Sequence, residues 1–288
     1  MSINWYPGHM KKTKETILEN LKIVDLVIEV LDARIPFSSK NPDISGMAKN
    51  KKRLILLNKM DLAGEREVEN WKDYLVSADT SDYAIAISAE TGKNLGEVKK
   101  IIDKLYNEKL EHVKKKGLRK TEIRALIVGI PNVGKSKVIN TLSKKGKARV
   151  GNKPGFTRGK QWIKAGEGLA LLDTPGVLWP KFENQEVGFN LAITGSIKDD
   201  ILPVEEVTQK FLDRLRELGK ISLLEKAYGL EENIEQLDNI QILKIMEKRF
   251  AILKNEENNY TKISKHLLRD YRSGKIGKFC LETVEKWI

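Results

Sequence analysis

Apolar residues fall in short blocks through the first 180 positions and then change to a helical rhythm. The blocks at 25–31, 53–57, 83–87, 122–128, 161–164 and 169–172 are rich in Val, Ile, Leu and Ala and are bounded by polar turns. Near-continuous apolar runs of this length are the pattern of strands buried on both faces. Between them, 65–76 and 95–115 repeat their apolar positions at intervals of three and four, which predicts helices. Alternating strands and helices imply an α/β fold with a mainly parallel sheet, helices on both faces and a site at the carboxyl ends of the strands. Beyond Pro180 the strand pattern stops. There 203–218, 239–254 and 260–271 read as amphipathic helices, because Val207, Phe211, Leu215 and Leu218 recur at helical spacing, as do Ile242, Ile245, Met246 and Phe250. The expected organisation is an α/β domain over 1–180 followed by an all-α C-terminal domain over 181–288.

Chemistry enters where the fourth strand run ends. Gly129-Ile-Pro-Asn-Val-Gly-Lys135-Ser136 fits G-x-x-x-x-G-K-[ST] between a strand-like run and a helix-like run, the context that a phosphate-binding P-loop requires. Its glycines let backbone N–H groups converge on phosphate oxygens, and the candidate contacts are Asn132, Val133, Gly134, Lys135, Ser136 and Lys137. Lys135 can bridge the β- and γ-phosphates, and Ser136 can ligate Mg²⁺. Downstream, Asp173-Thr-Pro-Gly176 follows the run at 169–172, so Asp173 is placed to hold the Mg²⁺ shell and Gly176 to offer its N–H to the γ-phosphate. The segment 152–159 is turn-rich and is expected to be a mobile loop. Thr157 within it is the natural hydroxyl for closing onto Mg²⁺ when the γ-phosphate is present.

Base identity is written earlier in the chain. Asn58-Lys59-Met60-Asp61 ends a strand run, and the Asp61 carboxylate can accept from guanine N1–H and N2–H₂, so the tetrad selects GTP and GDP. Ser88-Ala89-Glu90 ends the next strand run, where the Ala89 N–H can donate to guanine O6. Both guanine elements precede the phosphate loop. That order is the reverse of ordinary GTPases and points to a circularly permuted GTP-binding domain.

Charge adds a candidate partner. Lys and Arg number 52 against 40 Asp and Glu, a formal net charge of +12 that favours a polyanion such as RNA. Residues 1–180 hold 34 basic and 21 acidic side chains, and 181–288 hold 18 and 19. Within the second part, 244–278 count 10 and 4, so a basic face is expected on the last helices, with Lys262, Lys265, Arg269 and Arg272 as phosphate contacts. The cluster 114–120 is read as the connection joining the former ends of the permuted domain, with RNA contact as a second role. One cysteine, Cys280, excludes an internal disulfide framework and fits a reducing cytosol. No apolar run reaches membrane-span length and the opening residues carry no signal-like run. His112 and His266 lie in charged helical stretches and are expected at the surface.

These motifs resemble the circularly permuted GTPases, most closely the bacterial ribosome biogenesis GTPase A group, also called YlqF. Asn4-Trp-Tyr-Pro-Gly-His-Met10 resembles that group's aromatic-Pro-Gly-His-Met opening, and Leu31-Asp-Ala-Arg-Ile-Pro36 resembles its Asp-Ala-Arg element. The likeness runs motif by motif from Trp5 to about Gly176. It implies a GTPase that binds the large (50S) ribosomal subunit, through rRNA and ribosomal proteins, late in assembly and leaves after hydrolysis. It also implies a cytoplasmic protein, monomeric off the ribosome. Where Ras-like proteins place a water-orienting glutamine after DxxG, this chain has Val177, so the orienting group must come from elsewhere. Asn132 matches an asparagine that holds K⁺ in potassium-stimulated GTPases with similar loops. His9 is the other candidate, as a water-positioning imidazole or as a structural or RNA-contacting residue of the N-terminal arm. Two other readings stand beside this one: a GTPase coupled to another RNA process or to a membrane partner, and a GTP-gated RNA-binding scaffold that barely hydrolyses.

Overall fold

The computed structural model describes residues 10–78, 81–117, 121–143, 161–166, 168–174, 184–230, 233–250 and 259–288. Six strands, β1 (Leu26–Asp32), β2 (Lys52–Asn58), β3 (Tyr83–Ala86), β4 (Ile123–Val128), β5 (Gln161–Lys164) and β6 (Leu169–Asp173), form one sheet. Their order is β3-β2-β1-β4-β6-β5, and every pairing is parallel except β5 with β6. All six strand runs read from the sequence are strands within one residue of their bounds.

The two-residue period of a strand sends alternate side chains to opposite faces. On β1, Leu26, Ile28 and Val30 enter one apolar cluster while Val27 and Leu31 serve the opposite face; on β2, Leu54 and Leu56 oppose Ile55 and Leu57. Both faces are covered, which explains the continuous hydrophobicity of the runs. One face takes α5 (Leu95–Lys114) and α6 (Lys135–Ser143), through Val98, Ile102, Leu105, Val138 and Ile139. The other takes α1 (Met10–Leu21), α3 (Pro42–Met47) and α4 (Glu65–Ser77). The short α2 (Pro36–Ser39) and α3 each begin on proline, whose fixed φ suits a first helical turn. Asn41 caps α3 by accepting from the Asp43 N–H at 3.0 Å.

After residue 184 the described residues form α7 (Gln185–Ile193), α8 (Val204–Glu217), α9 (Leu223–Tyr228), α10 (Asn239–Phe250), α11 (Asn259–Arg272) and α12 (Val284–Trp287), with short 3₁₀ turns between. Of the predicted α8 stripe, Val207, Phe211 and Leu215 are buried and Leu218 is half-buried, and Phe211 meets the Tyr271 ring at 4.9 Å. These helices share one continuous apolar cluster with the α5 and α6 face of the sheet. The expected boundary at 180–181 lies outside the described residues.

The tail beyond α11 turns back onto the sheet region. The Leu281 N–H donates to the Arg34 carbonyl at 2.8 Å, the Trp71 indole donates to the Glu282 carbonyl at 3.1 Å, and the Trp287 ring lies 5.2 Å from that of Phe37. The Glu282 carboxylate, fully buried, accepts from the N–H groups of Phe37 and Ser38, from the Ser38 hydroxyl and from the Asn190 amide. One side chain thereby joins α2, α7 and the tail.

Candidate functional site

The carboxyl ends of β4, β1, β2 and β3 bring the phosphate and guanine loops together. β4 leads into Gly129 at φ +148°, where a Cβ would lie 2.4 Å from the Val30 carbonyl oxygen of β1. Gly134, at φ +98°, faces Asn58, and a Cβ there would lie 2.4 Å from the Asn58 amide nitrogen. Only glycine meets both demands. Asn58 donates to the Val133 carbonyl at 2.7 Å and accepts the Ala89 N–H at 3.0 Å, so its amide ties both candidate loops to the end of β2. Both ends of the Asn58 amide are engaged with protein groups, and the Ala89 N–H, the candidate donor to guanine O6, donates to Asn58 in this structure.

Two non-glycine residues of the site sit in the left-handed region, Lys59 at φ +65° and Asn132 at φ +61°. Such conformations cost about 1–3 kcal/mol and persist where the surroundings fix them. Lys59 is fixed by its ammonium, 2.9 Å from the Asp32 carboxylate. Asn132 is fixed by donation from its amide to the Gly195 carbonyl at 2.7 Å, a contact with the turn after α7. Ser88 is buried and its hydroxyl accepts the Thr91 N–H at 3.1 Å, which shapes the second guanine loop. Glu90 of that loop pairs with Lys137 of α6.

Lys135 lies buried inside the phosphate loop, donating to the carbonyls of Gly129 at 3.0 Å and Ile130 at 2.8 Å. Burial pulls its ammonium down to about 8, with Asp173 opposing the shift. Burial in turn raises Asp173, against the pull of Lys135. Ser136 occupies the first turn of α6. Thr174, next to Asp173, donates its hydroxyl to the Ile127 carbonyl of β4 at 2.7 Å.

Two buried carboxylate oxygens, Oδ1 of Asp61 and Oδ1 of Asp173, have no hydrogen-bond partner. An unmet buried acceptor costs about 1–3 kcal/mol, more when charged, and among the described residues neither oxygen has a donor, so each is open to a donor or a cation. The Asp61 oxygen suits the N–H groups of guanine, and the Asp173 oxygen suits a hard cation such as Mg²⁺. His9, Thr157, Gly176, Val177 and the loop 152–159 lie outside the described residues.

Sequence reading missed Asp32 and Arg34 as members of the site. Arg34 grips Asp32 through Nε at 2.9 Å and Nη2 at 2.7 Å, and its own N–H donates to the same carboxylate at 3.1 Å. Burial alone would raise Asp32, but Arg34 and Lys59 together hold it well below the usual carboxylate range. The signal was an acid and a base two residues apart at a strand's carboxyl end, inside a run otherwise apolar. On α11, Lys262, Lys265 and Arg269 are exposed along one flank, as expected. Arg272 is not part of that flank: its guanidinium turns inward onto Asp199, with both nitrogen–oxygen distances 2.8 Å. His112 is exposed, and His266 is half-buried at the surface with Nε2 3.1 Å from the Asp270 carboxylate.

The family described as 50S ribosome-binding GTPase matches residues 124–256. Over 288 residues the chain is 43% identical to ribosome biogenesis GTPase A of Bacillus cereus, covering 100% of this chain and 96% of the relative. It is 33% identical over 298 residues to mitochondrial ribosome-associated GTPase 1 of Mus musculus, covering 96% and 89%. The solved structure of GNP-bound YlqF from T. maritima aligns over 94% of this chain and 98% of its own, with TM-score 0.64 at 23% identity, a likeness of fold.

Proposed function

This chain belongs to the ribosome biogenesis GTPase A family, and from that premise we propose that it binds the large ribosomal subunit late in assembly and leaves it after hydrolysing GTP. The observation that supports the nucleotide half is the pair of buried carboxylate oxygens, Oδ1 of Asp61 and Oδ1 of Asp173, that lack a hydrogen-bond partner among the described residues. Asp61 lies on the base-reading loop and Asp173 at the end of β6, with the Lys135 loop between them. We assign guanine reading to Asp61, phosphate binding to Lys135 with the N–H groups of 132–137, and Mg²⁺ to Ser136, Asp173 and Thr157. The metal would neutralise charge on the β- and γ-phosphates, with K⁺ beside Asn132 adding to that role. Gly176 would sense the γ-phosphate, and His9 is the candidate for orienting water. Asn58 and Asp32 hold the reading loop rather than the base.

The ribosomal half rests on the relatives, whose names describe ribosome biogenesis or ribosome association, and on the exposed basic flank of α11. That flank and the positively charged remainder of 1–180 suit rRNA phosphates. We read the protein as cytoplasmic and monomeric off the ribosome. Among the described residues no helix is long and apolar enough to cross a membrane. Sedimentation of cell extract with GTP, GDP or a non-hydrolysable analogue tests the proposal. The protein should travel with the large subunit in the analogue and shift to the top fractions with GDP. Identical profiles in all three would overturn it.

A further inference from the structure

Contacts of Arg272 lead toward the phosphate loop from its side chain and toward the guanine loop from its backbone carbonyl. Arg272 ends α11 and reaches the turn after α7, donating to the Ile193 carbonyl at 2.9 Å, to the Ala192 carbonyl at 2.8 Å and to both oxygens of Asp199. Every guanidinium nitrogen is engaged, and the fork geometry is one that lysine does not reproduce. The turn is tight around it: Gly195 stands at φ +81°, and a Cβ there would lie 3.1 Å from Nε of Arg272. The carbonyl of that same Gly195 receives the Asn132 amide of the phosphate loop.

A second path leaves from the backbone. The Arg272 carbonyl accepts from Nη1 of Arg34 at 3.5 Å, and the Arg34 guanidinium lies 5.4 Å from the ring centroid of the neighbouring Tyr271. Arg34 grips Asp32, and Asp32 holds Lys59 in its left-handed conformation. Asn132 and Lys59 are the two strained non-glycine residues at the site, and the contacts that fix both trace back to Arg272. A charged side chain committed wholly to carbonyls and one carboxylate at the foot of two functional loops does more than close a helix end.

We propose that Arg272 is a positioning residue for guanine nucleotide binding, acting on the phosphate loop through Gly195 and Asn132 and on the guanine loop through Arg34 and Asp32. The inference rests on the reading that the loop 129–136 holds the phosphates. It assigns part of the nucleotide affinity to a residue in the C-terminal helices, far in sequence from every nucleotide motif. The path through Asn132 is the shorter and better formed, so it should dominate.

The test measures the affinity of the full-length protein for a fluorescent GDP analogue. Arg272→Ala should weaken binding about tenfold or more, and Arg272→Lys should fall between it and the parent. In an Asn132→Ala background the same Arg272→Ala change should cost less than threefold, because its main route is already cut; simple loss of packing would cost the same in both backgrounds. Unchanged affinity in a folded Arg272→Ala protein, or equal losses in the two backgrounds, would overturn the proposal. If Arg272→Ala does not fold, Arg272→Lys and Asp199→Asn decide the question by the same comparison. Lys135→Ala separates the underlying reading: parental affinity in that variant sinks the phosphate-loop assignment, whereas its loss beside an unaffected Arg272→Ala sinks only this inference.

Discussion

Replacing Glu282 tests whether the tail is part of the nucleotide-binding fold. Its carboxylate is fully buried and accepts from two backbone N–H groups, Phe37 at 2.7 Å and Ser38 at 3.1 Å, and from the Asn190 amide at 2.9 Å. The backbone donors cannot turn to other partners. Glu282→Ala leaves them unmet at about 1–3 kcal/mol each, so the expected loss is on the order of 3–5 kcal/mol. Against a typical total of about 5–15 kcal/mol this moves a urea midpoint by about 1 M or more. Burial also pushes the Glu282 acid from its ordinary 4.5 up to about 7, against the pull of its hydrogen-bond donors. A raised acid contributes most below its unfolded value, and that contribution is lost as pH climbs from 4.5 to about 7. At about 1.36 kcal/mol per pH unit the full span is roughly 3 kcal/mol. Urea unfolding followed by tryptophan fluorescence reads both effects, since the Trp71 indole bonds the Glu282 carbonyl. Glu282→Gln should flatten the decline of stability between pH 5 and pH 7.5 relative to the parent. A Glu282→Ala protein within 1 kcal/mol of the parent, estimated by the same linear extrapolation, or parallel pH curves for the parent and Glu282→Gln, would refute the reasoning.

Gly134→Ala should lower guanine nucleotide affinity at least about tenfold by titration, because its Cβ strikes the Asn58 amide that ties the two loops, at a cost above 1.4 kcal/mol. Asp61→Asn should move preference from guanine toward xanthine nucleotides in competition binding, and unchanged GTP affinity would show that Asp61 does not read the base. Charge reversal at Lys262, Lys265 and Arg269 together should flatten the salt dependence of subunit binding by roughly one log–log unit per lost contact, leaving GTP affinity intact. Arg272 is left out of that set because its charge is engaged inside the fold.

The sheet was legible because its strands are buried on both faces, which makes each an apolar block with sharp polar ends. The amphipathic helices α8, α10 and α11 were legible for the opposite reason, one apolar stripe against solvent. α7 was not. Val187 through Ile193 are all buried, so the helix has no polar face to set a period, and its signal reduces to Asn184 capping the Glu186 N–H at 2.9 Å. The candidate motif residues stand out in the sequence because phosphate and guanine chemistry would dictate their types and spacing. What joins them was invisible: Glu282 lies 244 residues from Ser38, and the Arg34 to Arg272 contact spans 238. Helical spacing places Arg272 beside the exposed bases of α11, and only its contacts with the end of α7 and Asp199 turn it inward.

That inward turn also bears on how nucleotide state reaches the helices. The covalent route from the DTPG turn runs through residues 175–183, whereas the hydrogen-bonded routes run from Asn132 to Gly195 and from Arg34 to Arg272. A neutral hydrogen bond contributes about 1 kcal/mol net, so changing the Asn132 contact alone shifts a two-state balance about fivefold. Carrying that balance from one state to the other needs about 5.5 kcal/mol. The phosphate-loop contact can therefore bias the helical segment without switching it. If the protein binds the large subunit as proposed, the remainder comes from differential contacts made by the subunit, and the nucleotide's part is to set which arrangement the subunit meets.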